Sequence, residues 1–223
     1  MPLPEDHPDW LQIKECQRVL AKAKSNVVWE ILRQSEPFVQ WSHYPKGDVF
    51  DNETHSQYFY HAHPTQLAVN TRSNENGHFH LFLRKKGIPD TLQPVDIDRS
   101  CRPDGSKEDD ICHLIGISMD KYGQPLSLFT TNRWVTGETW YDAATVIQLL
   151  DYFNIDHCLP SWPLNLWLSS MVRVYRDEIA QLIMARDERI AAWKIAYPER
   201  NPYEDRELEV TSSLDLQIPE KIR

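Results

Sequence analysis

The sequence predicts an α+β fold: an antiparallel sheet of about four to five strands, packed on its apolar face by an N-terminal helix and a long C-terminal helix. Two observations carry this expectation. The runs SQYFYHAH (56–63), GHFHLFLR (77–84), ICHLIGISM (111–119) and PLSLFTTN (125–132) are rich in aromatic and β-branched residues and short enough for strands. Longer runs near both ends instead repeat apolar residues at every third or fourth position, as one face of a helix requires.

Taken in order, Asp9 suits an N-cap, with Gln12 three residues on as in a capping box. Trp10, Ile13, Leu20, Val27 and Ile31 hold the helical period, so the spacing predicts one helix over about 9–35, ended before Pro37. Residues 36–54, with Pro45, Gly47 and several carboxylates, read as a loop. In the strand 56–63, His61 and His63 share a face with Gln57 and Phe59, opposite Tyr58, Tyr60 and Ala62. A polar connection spans 64–76. In 77–84, His78, His80 and Phe82 lie opposite Phe79, Leu81 and Leu83, and the second set is a core face.

The proline-rich stretch 85–110 reads as a long loop with the makings of a lid. Strand alternation over 111–119 places His113 with Ile115 and Ile117, opposite Leu114 and Gly116. KYGQP turns the chain into 125–132, and RWVTGETW follows as a loop. Thr139 or Asp142 caps a helix over about 142–153, and Pro163 opens a long helix running to about Tyr197, where Pro198 stops it. This gives a single α+β domain over 1–198 and an extended C-terminal tail over 199–223. In that tail Leu208, Val210, Leu214, Leu216 and Ile218 share one parity. They predict either an added edge strand, within the chain or with a second copy in a homo-oligomer, or a disordered segment.

Composition narrows the function classes. The net charge is −9, with 33 acidic residues against 24 basic and no basic cluster, which argues against nucleic acid as a partner. Four scattered cysteines without CxxC spacing do not make a disulfide scaffold. No run approaches the 18 or so apolar residues of a membrane span, and MPLPEDHPDW lacks the basic and apolar regions of a signal peptide, so the expected location is cytoplasmic.

Chemistry concentrates between His55 and His80, where five of the nine histidines fall, four of them as two His-x-His pairs. Residues two apart on a strand point to one side roughly 6.6 Å apart, so His61 and His63 can meet His78 and His80 across neighbouring strands. Neutral imidazole is a common ligand of zinc, iron, copper and nickel. The expectation is a mononuclear site for a divalent transition metal, zinc or iron, with these four as ligands. His113 is a further ligand or a general acid/base, and the nearest carboxylates by sequence are Glu53, Glu75 and Glu138. The reactions such a site suits are metal-dependent hydrolysis or non-haem oxygenation. The cupin spacing, with a glutamate soon after His-x-His, is missing, since LFLRKKG follows His80.

Glu138 is placed with His113 as a catalytic candidate, and Asn132, Arg133 and Trp134 form a candidate contact to a small-molecule ligand, since an amide, a guanidinium and an indole together hold planar or anionic groups. The rival reading is a non-catalytic binding module whose histidine, tyrosine and tryptophan residues line a polar pocket. Cys112–His113 and His157–Cys158 are adjacent in sequence, so in a strand each pair points to opposite faces, and no nucleophile motif or phosphate-binding glycine loop is present. The runs HYPKGDVFDNETHSQYFYHAH, GHFHLFL and HLIGISMDKYGQPLSLFTTNRWVTGETW resemble an uncharacterised bacterial family known only as a domain of unknown function. The resemblance spans about residues 40–195 and implies no activity.

Overall fold

Tyr58 and Tyr60, Phe79 and Leu81, Ile115 and Ile117, and Leu128 recur at every second position of their runs, and such spacing on adjacent strands gives a sheet one continuous apolar face. The computed structural model describes residues 6–33, 42–62, 74–97 and 111–216. Within them the strands are β1 (His43–Phe50), β2 (Ser56–Ala62), β3 (Gly77–Arg84), β4 (Ile111–Met119), β5 (Pro125–Thr131) and β6 (Val210–Asp215). They form one six-stranded antiparallel sheet in the order β1-β2-β3-β4-β5-β6.

The expected sheet therefore gains two strands. One is β1, from a segment whose Pro45, Gly47 and acidic residues suggested a loop. Its pairing with β2 jumps from Tyr44↔Tyr60 to Val49↔Tyr58, so residues 45–48 bulge out, with Gly47 and Asp48 at positive φ (89° and 59°). The other is β6, the alternating segment near the C-terminus, which pairs with β5 of its own chain.

Helices α1 (Pro8–Lys22), α2 (Val27–Leu32), α4 (Ala143–Leu149), α5 (Trp162–Val174) and α6 (Arg176–Ala196) deliver their apolar residues to one core. Trp10, Ile13, Val28, Leu149, Leu164, Trp167, Met171, Ile179 and Ile183 join there with the apolar strand residues. A four-residue helix, α3 (Arg133–Thr136), follows β5 where a loop was expected.

Both predicted long helices are broken. The first ends at Lys22, and Asn26 starts α2 by accepting a hydrogen bond from the Trp29 amide on its side-chain oxygen. Its own start is capped by His7, whose Nδ1 accepts from the Asp9 amide, in place of the expected Asp9–Gln12 box. The second helix turns at Tyr175, whose amide bonds to Met171, and α6 begins with Asp177 and Glu178 in its first turn, where the helix dipole favours acids. No described helix is long and apolar enough to cross a membrane.

Candidate functional site

With the helices gathered on one face, the other face of the sheet carries the histidines. Register aligns them across strands: His43 pairs with His61, His61 with His78, and His78 with Ser118, which in turn pairs with Ser127. One step along, Phe59 pairs with His80 and His80 with Gly116. His61 and His80 are thus diagonal neighbours, as two His-x-His strands require. The ring centroids run 6.0 Å (His43–His61), 5.6 Å (His61–His78), 4.7 Å (His78–His80) and 5.0 Å (His80–His113). His63 lies outside the described residues.

His113 reaches this cluster against simple alternation, which would have set it on the face of Ile115 and Ile117. The pairing of β4 with β3 shifts from Leu81↔Ile115 to Phe82↔His113, so Leu114 is an extra residue in a β-bulge. Everything before it in the strand changes face. His113 thereby joins the side of Gly116 and Ser118, and its Nε2 comes 3.0 Å from His80 Nδ1.

Hydrogen bonds join the rings to carboxylates and to each other. Burial first, then the neighbouring histidines, holds His80 well below the ordinary histidine range, and burial first, then Arg186, pushes His113 down to about 3. Both rings are neutral at pH 7, and a neutral imidazole has one donor and one acceptor nitrogen. The contact between His80 Nδ1 and His113 Nε2 is then a single hydrogen bond in which one nitrogen donates and the other accepts. His78 Nδ1 lies 2.7 Å from Glu75 Oε1, and the carboxylate accepts from Nδ1–H. At the sheet edge His43 Nδ1 meets Asp48 Oδ1 at 3.3 Å, and the ring stacks on Phe59 at 3.7 Å. Asp48 is held by Gln57 Nε2 (2.7 Å), and Gln57 Oε1 accepts from Arg84 (2.6 Å).

Three phenylalanines wall the cluster. Phe59 and Phe82 stand 5.1 and 6.2 Å from His80, and Phe129 stands 5.2 Å from His78 and 5.8 Å from His80. Phe129 lies across Gly116, where a Cβ would meet its ring at 2.4 Å, so only glycine lets the phenyl reach the histidines. His43 is half exposed, while His78, His80 and His113 are buried. Among the described residues no three His, Cys, Asp or Glu side chains stand in an arrangement that could hold a metal ion.

The remaining predicted residues lie beside the cluster. Glu138, fully buried, accepts from the His113 amide on Oε2 (2.7 Å) and from Thr136 on Oε1 (3.2 Å). Burial pushes its carboxyl up to about 7 despite the opposing Arg186. Asn132, Arg133 and Trp134 bind the chain itself. Asn132 Nδ2 donates to the Pro202 carbonyl (2.8 Å), Arg133 pairs with Glu204, and Trp134 Nε1 donates to the Leu208 carbonyl (2.8 Å). Together they dock the segment leading to β6, and no described hydrogen bond joins them to the histidine rings. Glu53 belongs to a turn closed by Asp51, whose Oδ1 accepts from the amides of residues 53 and 54.

A model of the family described as "Domain of unknown function (DUF6969)" matches residues 9–216. The chain belongs to that family. The match covers both terminal helical regions and all six strands as well as the histidine motifs. No curated protein and no solved structure matches the chain.

Proposed function

We propose that the histidine face binds a divalent transition metal ion, zinc or iron, with His61, His78 and His80 as ligands and Glu75 and His113 orienting them. The observation that carries this reading is the pair of occupied Nδ1 atoms on His78 and His80. Metal-ligating histidines characteristically donate their other ring N–H to a carboxylate or another acceptor, which fixes the tautomer and raises ligand basicity. Two imidazoles bound to one tetrahedral ion at about 2.0–2.1 Å have centroids about 5 Å apart. The His61–His78 and His78–His80 separations of 5.6 and 4.7 Å bracket that figure, so ring rotations rather than strand movements would close the site. His63, the other half of the first His-x-His pair, is the proposed fourth ligand.

Elemental analysis of untagged protein tests this. A stoichiometric divalent metal is expected, and it is lost when His61→Ala is combined with His80→Ala. Protein that stays metal-free after exposure to zinc and to ferrous iron overturns it.

A second reading is favoured by the fact that no three described ligands are already in metal-holding arrangement. In it the same face is a polar pocket, and a small ligand bonds to the imidazole nitrogens directly. Ligand binding that a chelator leaves unchanged selects this reading over the first.

A further inference from the structure

A cavity of about 350 Å³ opens between α1, the link from α1 to α2, and the turn from β4 to β5. Its described lining includes Lys14, Gln17 and Arg18 of the helix, Asn26 of the link, and Tyr122 and Gln124 of the turn, and none of these belongs to the histidine face. The volume suits a small molecule.

The walls are held before anything binds. Gly123, at φ 79°, lies so close to Asn26 that a Cβ would meet that side chain at 2.8 Å, and Asn26 in turn accepts from the Trp29 amide at 2.8 Å. Asp120 Oδ1 accepts from the amides of both Tyr122 and Gln124, each at 2.8 Å, which fixes the turn. A preformed cavity spares its ligand the cost of ordering it.

Two amides decide what fits. Gln17 and Gln124 each bury the side-chain oxygen, and neither oxygen has a hydrogen-bond partner among the described residues. An unpaired buried acceptor costs free energy, so it is retained most readily where a ligand completes it. The last torsion of glutamine is broad and two-fold, so a turn of the amide presents the oxygen to the cavity without moving the backbone. An ionised carboxylate offers only acceptors and would leave these oxygens unpaired. The Arg18 fork, which would suit an anion, is already taken by Glu15 at 2.7 and 2.6 Å. A hydroxyl both donates and accepts, so two neighbouring hydroxyls can give one hydrogen bond to a glutamine oxygen and take one from its NH2 group. At the rim Tyr122 is 66% exposed, and its ring supplies a flat apolar surface beside these polar groups. Hydroxyls around the edge of a ring with apolar faces are the chemistry of a sugar.

We infer that this cavity binds a neutral sugar of monosaccharide size, with Gln17 and Gln124 bonding its hydroxyls and Tyr122 packing on its ring.

The test titrates isotope-labelled full-length protein separately with glucose, galactose and mannose, and with adenosine and inorganic phosphate as rivals, following the amide NMR shifts. At least one of the three sugars should move the Gly123 and Gln124 amides saturably, with a dissociation constant on the order of 1 mM. Gln17→Ala combined with Gln124→Ala should weaken that sugar by about ten-fold or more, the worth of the lost hydrogen bonds. Tyr122→Ala should also weaken it, and Tyr122→Phe, which keeps the ring, should not. His61→Ala should leave the affinity unchanged, which separates this cavity from any pocket at the histidine face. No saturable shift from any of the three sugars at concentrations on the order of 100 mM overturns the proposal. So does tighter binding of adenosine or phosphate at these amides, an affinity unchanged in the double variant, or a loss of sugar binding in His61→Ala. An unchanged circular dichroism melt checks that the variants fold, and Tyr122→Ala, on an exposed turn, keeps the test available if the double variant does not.

Discussion

The two faces of the sheet are built from the same strands yet satisfy their polar groups by different means. On the helix side, the Tyr58 hydroxyl donates to Asn165 Oδ1 at 2.6 Å, and that asparagine's amide donates to the carbonyls of residues 157 and 159, while the Trp167 indole nitrogen is buried with no partner among the described residues. Phe79 is wholly buried there, 4.9 Å from Tyr60, 6.0 Å from Tyr58 and 6.4 Å from Trp167. On the histidine side, rings are fixed by one nitrogen each, to Asp48, Glu75 or a second imidazole, and the Ser118 hydroxyl is buried with nothing described to bond it. The first face is organised for packing. The second gathers imidazole nitrogens against carboxylates and against one another, an arrangement that packing alone does not require.

That contrast can be broken at its strongest point first. Phe79→Ala should cost about 3–5 kcal/mol of folding stability, as large-to-small changes in a tight core do, read by urea denaturation. A loss below about 1 kcal/mol would mean the helix-covered face is not the main source of stability.

Next in size is a pH effect from the edge of the histidine face. Glu138 has an ordinary value of 4.5 and is pushed up to about 7 in the fold, so between these pH values the folded state keeps a proton that the unfolded state has released. Stability present at low pH is therefore lost as pH rises through 7, by roughly 3 kcal/mol in total. His113 works in the other direction. With its value pushed down to about 3 from 6.5, the unfolded chain protonates first, and stability is lost as pH falls below 6.5. Glu138→Gln removes only the first dependence. Relative to the parent protein it should be nearly neutral at about pH 5 and more stable by roughly 3 kcal/mol at about pH 8. A variant-to-parent difference that is the same at both pH values would show that this carboxyl ionises as if exposed.

The smallest effect sharpens the reading of the rings. Glu75→Gln should keep the fold and weaken zinc about 10- to 100-fold, the usual cost of disturbing a ligand's supporting hydrogen bond. Competition against a chromophoric chelator measures it, and unchanged zinc affinity would mean that Glu75 only closes the turn before β3.

Much of this was legible in the residues, and the misses have physical reasons. β2 and β3 alternate without interruption, so both faces follow from parity, while the diagonal relation of His61 to His80 needed the register that pairs His61 with His78. β1 was hidden because Pro45 and Gly47 sit in a bulge that spoils its alternation. His113 was assigned the wrong side because a bulge adds one residue to a strand without a proline or glycine to mark it. The break at Tyr175 also has no glycine or proline, and only the acids of the next turn hint at it. The expected ligand contacts of Asn132, Arg133 and Trp134 rested on side-chain chemistry, whereas their partners at 202–208 lie some seventy residues away and are set by tertiary packing.

Every strand in this sheet lies beside its immediate predecessor in sequence, save that β6 arrives after the helices. The five-stranded meander can thus form from neighbouring strands, with a long connection to close only between β3 and β4, and such sequential pairing favours rapid assembly. The helical cover is different: Asp9 of α1 bonds Arg173 of α5 at 2.6 Å, and Trp10 meets Tyr175 edge-on at 5.7 Å. The two ends of the chain must come together before the tyrosine and leucine side of the meander is sealed. Shortening the protein by its first twenty residues should therefore leave an aggregation-prone sheet, whose exposed greasy side a dye such as ANS would report.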